Sequence, residues 1–419
     1  KVLLESQGYS IECKRKEREI IKKQKNSNDE NLSKEDKIIF GTENVFFAAI
    51  SLLKIAANQK CKKNSTIYIT YNNLEIANHL YNKLIYCCRK FLLKAINNGW
   101  NVLFLLRLNN NTNRTIEFIN FAKPLIMTGK FNPYYINKYD SSAIGKECII
   151  VPGIGTLSCF STKPNLEIDC AFYLRNTFAS DIFKNYYLAL ISNYAQPLVK
   201  YYANEKIINY SNYVIESEEN IGSRFLYKYC FSVLTLPEKL YEKLLKKRNL
   251  SNDEILIALA FYKKRLSAFL TNIQNYEYND IYLADSIKDL IKHRRYYFYS
   301  YAGIEMISLE TQDIINFLLN IINLLETYAN YNIAFIPSTV STTNSENYYC
   351  MVKERHAVFL EIFESSKTIP KMRLSIKEPM LIKAFQEYFK EIWEQIAPVN
   401  KDKQEIISWI QSQINLLQK

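Results

Sequence analysis

The stretch ECIIVPGIGTLSCFS (147–161) decides the fold, because it has the form of a β-hairpin that returns later in the chain. Two short apolar runs enclose a turn that contains Gly153 and Gly155, which is typical of a hairpin. A second segment, CMVKERHAVFLEIF (350–363), has the same form. In both places a predicted strand and an amphipathic helix follow. The sequence therefore predicts an α/β unit that is used twice.

The two copies agree in the order of their elements and in their apolar positions. Strand 168–175 and helix 180–197 correspond to strand 371–377 and helix 380–398. Upstream, strand 101–108 is aligned with strand 332–337, since each follows an apolar helix. The matched positions are Cys148 with Cys350, Leu174 with Ile376, Phe183 with Phe385, Tyr187 with Phe389, and Ile191 with Trp393. A shared but generic α/β pattern is the alternative explanation.

The repeated unit of strand, hairpin, strand and helix resembles one half of a phospholipase-D-like domain, a fold that is built from two such halves. Enzymes of that family carry H-x-K-x(4)-D in each half, with one His as the nucleophile and the other as the general acid. The three His of this chain, His79, His293 and His356, form no H-x-K, and Pro152 and Lys353 stand where the Asp would fall. The resemblance therefore implies a non-catalytic version of the fold, without a cofactor or a metal.

Residues 38–419 also resemble the effector-sensing part of bacterial helix-turn-helix transcription regulators of the low-GC Gram-positive type. The segments that carry this resemblance include TGKFNPYYINKYD (128–140) and HAVFLEIF (356–363). This resemblance implies a cytoplasmic regulator that acts as a homodimer and senses a small molecule or a protein.

The opening stretch KVLLESQGYSIECKRKEREIIKK (1–23) resembles the tail of a winged-helix domain, with a helix end, Gly8 and a basic two-stranded wing. The resemblance implies that most of the DNA-binding domain lies upstream of Lys1. Basic residues of the wing would contact DNA phosphates; they are Lys14, Arg15, Lys16 and Arg18. An exposed basic hairpin without a partner is the alternative.

The fold class expected from these patterns is α/β: two phospholipase-D-like half repeats with a helical insertion, preceded by the tail of a winged helix. The insertion is expected because 205–330 has mostly helical periodicity. The predicted divisions are 1–24 for the winged-helix tail, 25–37 for a linker, 38–203 for the first half, 204–312 for a mainly helical insertion, and 313–419 for the second half with a C-terminal helix.

Composition agrees with a basic protein that contains free thiols. Lys and Arg number 54 against 42 Asp and Glu, which gives a net charge of +12 and suggests an anionic partner such as DNA. A general bias toward Lys, Asn, Ile and Tyr is the alternative. The 9 Cys show no C-x-x-C spacing, so neither a zinc site nor a disulfide framework is indicated. No apolar run reaches the roughly 18 residues of a membrane span.

Two groups of basic residues are candidate effector ligands. Arg107 and Arg114 follow a predicted buried parallel strand, and the carboxyl ends of such strands often bind ligands. Their guanidinium groups could hold an anion bidentately. Lys353, Arg355 and His356 form a second group in a predicted hairpin turn. A solvated loop and an ordinary exposed turn are the alternatives. In the segment KHRRYYFYSY (292–301) cations alternate with aromatic residues, a pattern that can bind nucleic acid by charge and stacking. The favoured interpretation is part of an amphipathic helix at a domain interface.

The predicted function is a transcription regulator with a non-catalytic sensor, in which an effector or a partner shifts the population of DNA-binding forms. One alternative is an enzyme of unrecognised type that uses a carboxylate such as Glu378 or Asp169. A protein–protein interaction scaffold is another.

Overall fold

A computed structural model of the chain describes residues 32, 35–60, 65–71, 79–107, 118, 121–136, 147–160, 168–203, 206–248, 250–300, 303–337, 347–363 and 372–418. The chain divides into two compact units, of which the first ends at Val199 and the second begins at Lys200. Both units are mixed α/β structures with a multi-stranded sheet. The predicted wing, with its four basic residues, and Arg114 lie outside the described residues.

The first unit contains an eight-stranded sheet with the order β1-β7-β6-β5-β2-β3-β4-β8. Its strands are β1 (Lys37–Phe40), β2 (Thr66–Tyr71), β3 (Asn101–Arg107), β4 (Phe131–Ile136), β5 (Glu147–Val151), β6 (Gly155–Phe160), β7 (Cys170–Leu174) and β8 (Gln196–Pro197). Strands β2, β3 and β4 are parallel, and the other neighbours are antiparallel. The described helices include α1 (Thr42–Asn58), α2 (His79–Asn97) and α3 (Thr177–Tyr194).

Helix α3 is fixed to the sheet by a buried tyrosine. The helix begins after Asn176, whose side chain accepts hydrogen bonds from the amides of Phe178 and Ala179 and thereby caps it. Further along, the Tyr187 hydroxyl donates to the carbonyls of Ile69 at 3.0 Å and Leu103 at 2.9 Å. Because these carbonyls belong to β2 and β3, one phenol ties the helix to two neighbouring strands.

The second unit contains a seven-stranded sheet with the order β14-β11-β10-β15-β16-β17-β9 and a separate hairpin of β12 and β13. The strands are β9 (Lys200–Tyr202), β10 (Arg224–Lys228), β11 (Tyr278–Leu283), β12 (Arg295–Ser300), β13 (Gly303–Ser308), β14 (Tyr331–Ile336), β15 (Asn347–Lys353), β16 (Ala357–Phe363) and β17 (Met372–Ile376). The described helices include α4 (Ile207–Glu219), α5 (Glu238–Lys246), α6 (Asn252–Asn272), α7 (Ala284–His293), α8 (Thr311–Thr327), α9 (Pro379–Gln395) and α10 (Lys403–Leu417).

The two sheets repeat one arrangement. Read outward from the hairpin, β7-β6-β5-β2-β3-β4 of the first sheet corresponds to β17-β16-β15-β10-β11-β14 of the second. Each series consists of antiparallel neighbours as far as β2 or β10 and of parallel neighbours beyond that strand. The hairpin, the strand and the helix that the sequence matched therefore occupy equivalent positions. In the second unit the matched Ile376 and Phe385 are buried, whereas Leu174 and Phe183 of the first unit are partly buried.

The upstream strands of the repeat were matched one strand out of place. Strand β14 takes the position of β4, and β11 is the strand equivalent to β3. Strands β3 and β14 are both parallel and largely apolar, whereas Asn279 and Asp280 interrupt the apolar residues of β11. Only the pairing order therefore identifies the equivalent strands.

The prediction that 204–312 is a helical insertion is wrong. This segment contributes β10 and β11 to the middle of the second sheet, and it also contains the separate β12–β13 hairpin. Strand β10 has the sequence RFLYK and is buried at all five residues. Because both of its end residues are charged, a search for apolar runs does not detect it. The boundary between the units accordingly falls at Val199 and Lys200, not at 203.

The basic and aromatic segment 292–301 is also not one helix. Helix α7 ends at His293, and Arg294 follows in the left-handed conformation with φ 55°. The chain then continues as β12. A left-handed residue directly after the last turn is a common way for a helix to stop.

We expect Tyr187→Phe to lower the free energy of unfolding by about 1–3 kcal/mol, because two buried carbonyls lose their shared donor. Tyr186→Phe is the matched control, since its side chain is 46% exposed on the same helix. Urea unfolding of the two variants measures the difference. Equal stability of both variants would show that the Tyr187 hydroxyl does not hold the helix.

Candidate functional site

A cavity of about 90 Å³ lies within the second unit, between one face of the sheet and the helices α4, α5 and α6. Its polar lining includes Glu218, Arg224, Lys228, Arg265, Glu361 and Arg373. Ile207, Phe261 and Arg265 are only partly buried, so they mark the side where the cavity approaches solvent.

Strand periodicity places charged side chains on the inner face of the sheet. Arg224, Leu226 and Lys228 alternate along β10 and share one face. Leu226 lies opposite Met351 of β15, which also lines the cavity. Two strands further on, Glu361 lies opposite Arg373. The face that would normally carry only apolar residues therefore carries a row of ionisable groups.

Helix periodicity supplies the opposite wall. On α4 the lining residues recur every three or four positions, the spacing of a single helix face; they are Ile207, Tyr210, Ser211, Val214 and Glu218. Helix α6 contributes Phe261, Tyr262 and Arg265. Helix α6 begins with a capping box in which the Ser251 side chain accepts from the Glu254 amide and the Glu254 carboxylate accepts from the Ser251 amide.

Two buried ion pairs form one end of the site. The Arg224 Nη2 donates to both Asp280 carboxylate oxygens at 2.7 and 3.0 Å. Arg265 contacts Glu218 bidentately, with Nε to Oε2 at 2.5 Å and Nη2 to Oε1 at 3.0 Å. The Arg224 Nη1 is 3.7 Å from Glu218 Oε1 and so joins the two pairs. Burial of such charges is tolerated only when their partners are well placed.

Phenols complete the surroundings of Asp280. Tyr282 and Tyr331 each donate a hydroxyl to its Oδ2, at 2.7 and 3.2 Å. The Arg224 guanidinium also lies 4.5 Å from the ring centre of Tyr278, a cation–π contact. Burial lowers the pKa of Arg224, but the charge of Asp280 and the other neighbours raise it by more, so the side chain keeps its charge.

The other side of the cavity holds Lys228, Glu361 and Arg373. Burial lowers the pKa of Lys228 to about 8. Burial raises the pKa of Glu361, although Arg373 and other neighbours act in the opposite direction. Both shifts move a buried group toward its neutral form, which is a frequent property of functional sites.

Two polar atoms of the lining residues lack a hydrogen-bond partner of acceptable geometry. They are the Tyr210 hydroxyl, which lies beside Glu361, and the Arg224 Nε. Buried polar atoms are nearly always satisfied by protein or by a bound molecule. The cavity is therefore a place where a polar molecule would complete the hydrogen bonding.

The structure separates the residues that the sequence grouped as effector ligands. Lys353 is fully buried at the end of β15, where its Nζ donates to the Gly222 carbonyl at 2.6 Å and to the Tyr278 hydroxyl at 2.8 Å. Arg355 is exposed in the turn with φ 59°, and its Nε is 3.7 Å from Glu354 Oε1. The interpretation of this stretch as an ordinary exposed turn is therefore wrong for Lys353.

His356 and Arg107 complete the predicted set. The His356 ring lies 5.6 Å from the Tyr213 ring, burial lowers the pKa of this histidine, and its Nε2 has no hydrogen-bond partner. Arg107 ends β3 in the first unit. His356 is not among the residues that line the cavity.

Of the two carboxylates that the enzyme alternative names, Glu378 and Asp169, the Glu378 carboxylate has a structural contact. Glu378 is the N-cap of α9, and its carboxylate accepts from the Leu381 amide at 2.8 Å. Asp169 precedes β7, and its carbonyl accepts from the Gly41 amide at 2.8 Å. Glu378 therefore caps a helix, and the observed bond of the Asp169 backbone joins two parts of the first unit.

Sequence reasoning missed the cavity residues, although a signal was present. In RFLYK and in MRLSI a charged residue takes an alternate position of a short strand. Such an interruption marks a polar inner face once the segment is known to be a strand. Within the described residues no group of His, Cys, Asp and Glu has an arrangement that could hold a metal ion.

No protein-family model matches the chain, and no curated protein is similar to it at a significant level. Solved structures with a weak similarity include TrmBL2, an archaeal chromatin protein that shows a novel mode of DNA binding. It is 14% identical, with 45% of this chain and 65% of that chain covered and a TM-score of 0.29.

Polyphosphate kinase from Porphyromonas gingivalis is 12% identical, with 92% of this chain and 56% of that chain covered and a TM-score of 0.27. NucT from Helicobacter pylori is 12% identical, with 48% and 96% covered and a TM-score of 0.25. The chain thus covers less than two thirds of the length of the first two proteins. Scores this low establish no shared fold or function.

None of the described helices has the length and apolar character needed to cross a bilayer.

We expect the pH dependence of stability to reveal the buried amine of Lys353. Burial and the nearby Arg224 charge lower the pKa of Lys353 to about 7, whereas in the unfolded chain it stays near ~10.4. Between these values the unfolded state binds more protons, so this group makes the free energy of unfolding rise with pH. Below the lower value both states are protonated and its contribution becomes constant.

Above pH 7, the free energy of unfolding should therefore rise less steeply with pH in Lys353→Met than in the wild type. The difference between the two slopes should be up to about 1.4 kcal/mol per pH unit. Lys264→Met is the control, because that side chain is 58% exposed. Urea unfolding at several pH values gives the slopes. If Lys353→Met and the wild type have the same slope, the amine is not held in its neutral form.

Proposed function

We propose that this chain is the sensor part of a DNA-associated transcription regulator and that it has no catalytic activity. The observation that carries the proposal is the cavity of the second unit, which is small, partly open to solvent and lined by ionisable groups. Its unsatisfied polar atoms suit the binding of a small polar molecule rather than a macromolecule. Binding there would shift the population of DNA-binding forms.

The DNA-associated part of the proposal is supported by sequence alone. The chain carries a net charge of +12, and its first residues have the pattern of a basic wing. Cytoplasmic location and homodimer formation, which the resemblance to bacterial regulators implies, belong to the same proposal.

The wing predicts weak DNA binding without sequence preference, since a wing contacts phosphates and a recognition helix reads bases. Fluorescence anisotropy with unrelated duplexes should give similar affinities, and the logarithm of the affinity should fall linearly with the logarithm of the salt concentration. Replacement of the four basic wing residues by Ala should reduce the slope. These residues are Lys14, Arg15, Lys16 and Arg18.

The matched control removes the same charge elsewhere. Its four lysines are exposed on helices of the second unit; they are Lys263, Lys264, Lys383 and Lys390. An equal loss of slope in both variants would mean that DNA binding is a property of net charge alone. Nanomolar binding to one sequence at physiological salt would also contradict the proposal.

The non-catalytic part predicts no phosphodiester hydrolysis, because no H-x-K is present to supply the paired histidines. The purified chain should leave bis-(p-nitrophenyl) phosphate, phospholipids and DNA intact, with and without divalent metal. Metal-independent turnover that disappears in His356→Ala or His293→Ala would identify an enzyme and overturn this part of the proposal.

A further inference from the structure

An exposed apolar surface lies on one side of the first unit. Among the described residues of that unit, all eight large apolar side chains that are strongly exposed lie on α3, on the edge strand β1 or on its neighbour β7. Six of them, with exposed fractions of 38–74%, form what we call the α3 surface; they are Ile38, Phe40, Phe172, Phe178, Ile182 and Tyr186.

Three of these residues recur every four positions along α3. Phe178, Ile182 and Tyr186 therefore form one stripe of the helix. Phe183 and Tyr187 lie on a different stripe, which packs against apolar side chains of the sheet. The helix thus carries a second apolar stripe besides the one that holds it to its own unit.

The strand residues of the α3 surface lie on the side of the sheet that α3 covers. The Thr156 hydroxyl of β6 donates to the Ser180 hydroxyl of α3 at 2.9 Å, so Thr156 faces the helix. Ser158 follows two residues later and shares this side, and Phe172 lies opposite Ser158. Ile38 is in turn opposite Phe172, and the next residue but one on β1 has the same orientation. The helix stripe and the strand residues therefore share one side of the unit.

The second unit buries the equivalent positions. The strand registers and the helix starts of the repeat match Phe172 with Leu374 and Ile182 with Ala384. The exposed fractions are 38% and 54% in the first unit, whereas both counterparts are 0% exposed. The same side of the same arrangement of strands is thus closed in the second unit and open in the first.

The charge of the α3 surface restricts its partner. Over its 18 residues, α3 contains one acidic and one basic residue, Asp181 and Lys184. The equivalent helix α9 has the charged exterior of an ordinary surface helix; its exposed residues include Lys383, Lys390, Glu391 and Glu394. A nucleic acid or a strongly charged peptide would find no excess of opposite charge on α3, although the whole chain carries +12. Two identical, nearly neutral surfaces can meet without burying an unpaired charge excess.

The area of the α3 surface suits a dimer. A large apolar side chain has roughly 200 Å² of surface when fully exposed, so the six side chains leave roughly 600 Å² accessible. This is the upper end of the apolar patches on typical monomers, about 300–600 Å². An interface of standard size buries about 800 Å² on each partner, and somewhat more than half of that area is apolar. The α3 surface can therefore supply the apolar part of such an interface.

We propose that a second copy of this chain packs on the α3 surface, with the two α3 helices related by a twofold axis. A twofold interface uses the same residues of both copies, so one apolar and nearly neutral surface is sufficient. This inference gives the proposed homodimer its interface, and it rests on the proposed function only for the regulatory role of the dimer.

Sedimentation velocity of the full chain tests the association. A species with twice the mass of one chain should form with a dissociation constant of about 10 μM or lower, because interfaces of this size have micromolar or higher affinity. The constant should change by less than about 3-fold between about 0.1 and 1 M salt, since salt screens charges and α3 has few.

Charge substitutions locate the interface. Phe178→Glu combined with Ile182→Glu should weaken the dimer by about 100-fold or more, because two carboxylates from each copy would be buried without partners. Leu256→Glu combined with Ile257→Glu is the matched control, since these exposed apolar side chains lie on α6 of the second unit. Phe40→Glu tests the strand part separately and should weaken the dimer by at least about 10-fold. Circular dichroism melting of each variant shows whether it is folded.

The possible failures are distinguishable. A chain that stays monomeric up to about 100 μM, well above the expected dissociation constant, would overturn both the interface and the homodimer. A dimer that persists in the folded α3 variant, or that is weakened equally by the control, would overturn the α3 surface and leave the homodimer. An α3-dependent dimer without wing-dependent DNA affinity would support the interface and contradict the proposed regulator.

Discussion

The second unit depends on the buried pair of Arg224 and Asp280, which lie on the neighbouring parallel strands β10 and β11. Both side chains are essentially inaccessible to water, with exposures of 1% and 0%. A slip of β11 by one residue would turn Asp280 to the other face and leave an unpaired buried charge, which costs about 3–5 kcal/mol. Glu218 and Arg265 then extend the pair to α4 and α6, so the same charges position the helices that cover the cavity.

The two units have the same arrangement of strands, so a comparison of them shows what the buried charges add to the second unit. In the first unit, the strand registers place buried apolar residues at the equivalent inner positions: Ile67 corresponds to Arg224, Cys159 to Glu361 and Ala171 to Arg373. Such apolar side chains need no charged partner from the opposite wall. In the second unit, large charged side chains stand on the inner face and need partners from the opposite wall. The arrangement of strands is thus repeated, whereas the ionisable cavity belongs to the second unit.

A good part of the fold was predictable, because it depends on local patterns. The hairpins, the strands that follow them and the helices α3 and α9 were predicted from apolar periodicity and turn residues, and the structure contains all of them. Strands β10 and β11 were missed because RFLYK and YNDIYL place polar residues where a buried strand usually has apolar ones. Their burial becomes favourable only through partners that are distant in sequence, such as Glu218 for Arg265.

The sequence by itself determined the α/β class, the repeated hairpin unit and the lack of paired H-x-K motifs, since these follow from periodicity and residue identity. Only the tertiary structure decided which strands are neighbours and where the charges go. It buried Lys353, left Arg355 in solvent and brought Arg224, Lys228, Glu361 and Arg373 from three strands to one cavity. The physical reason is that the free energy of a buried charge depends on its spatial partners, and strand pairing brings those partners together across long stretches of chain.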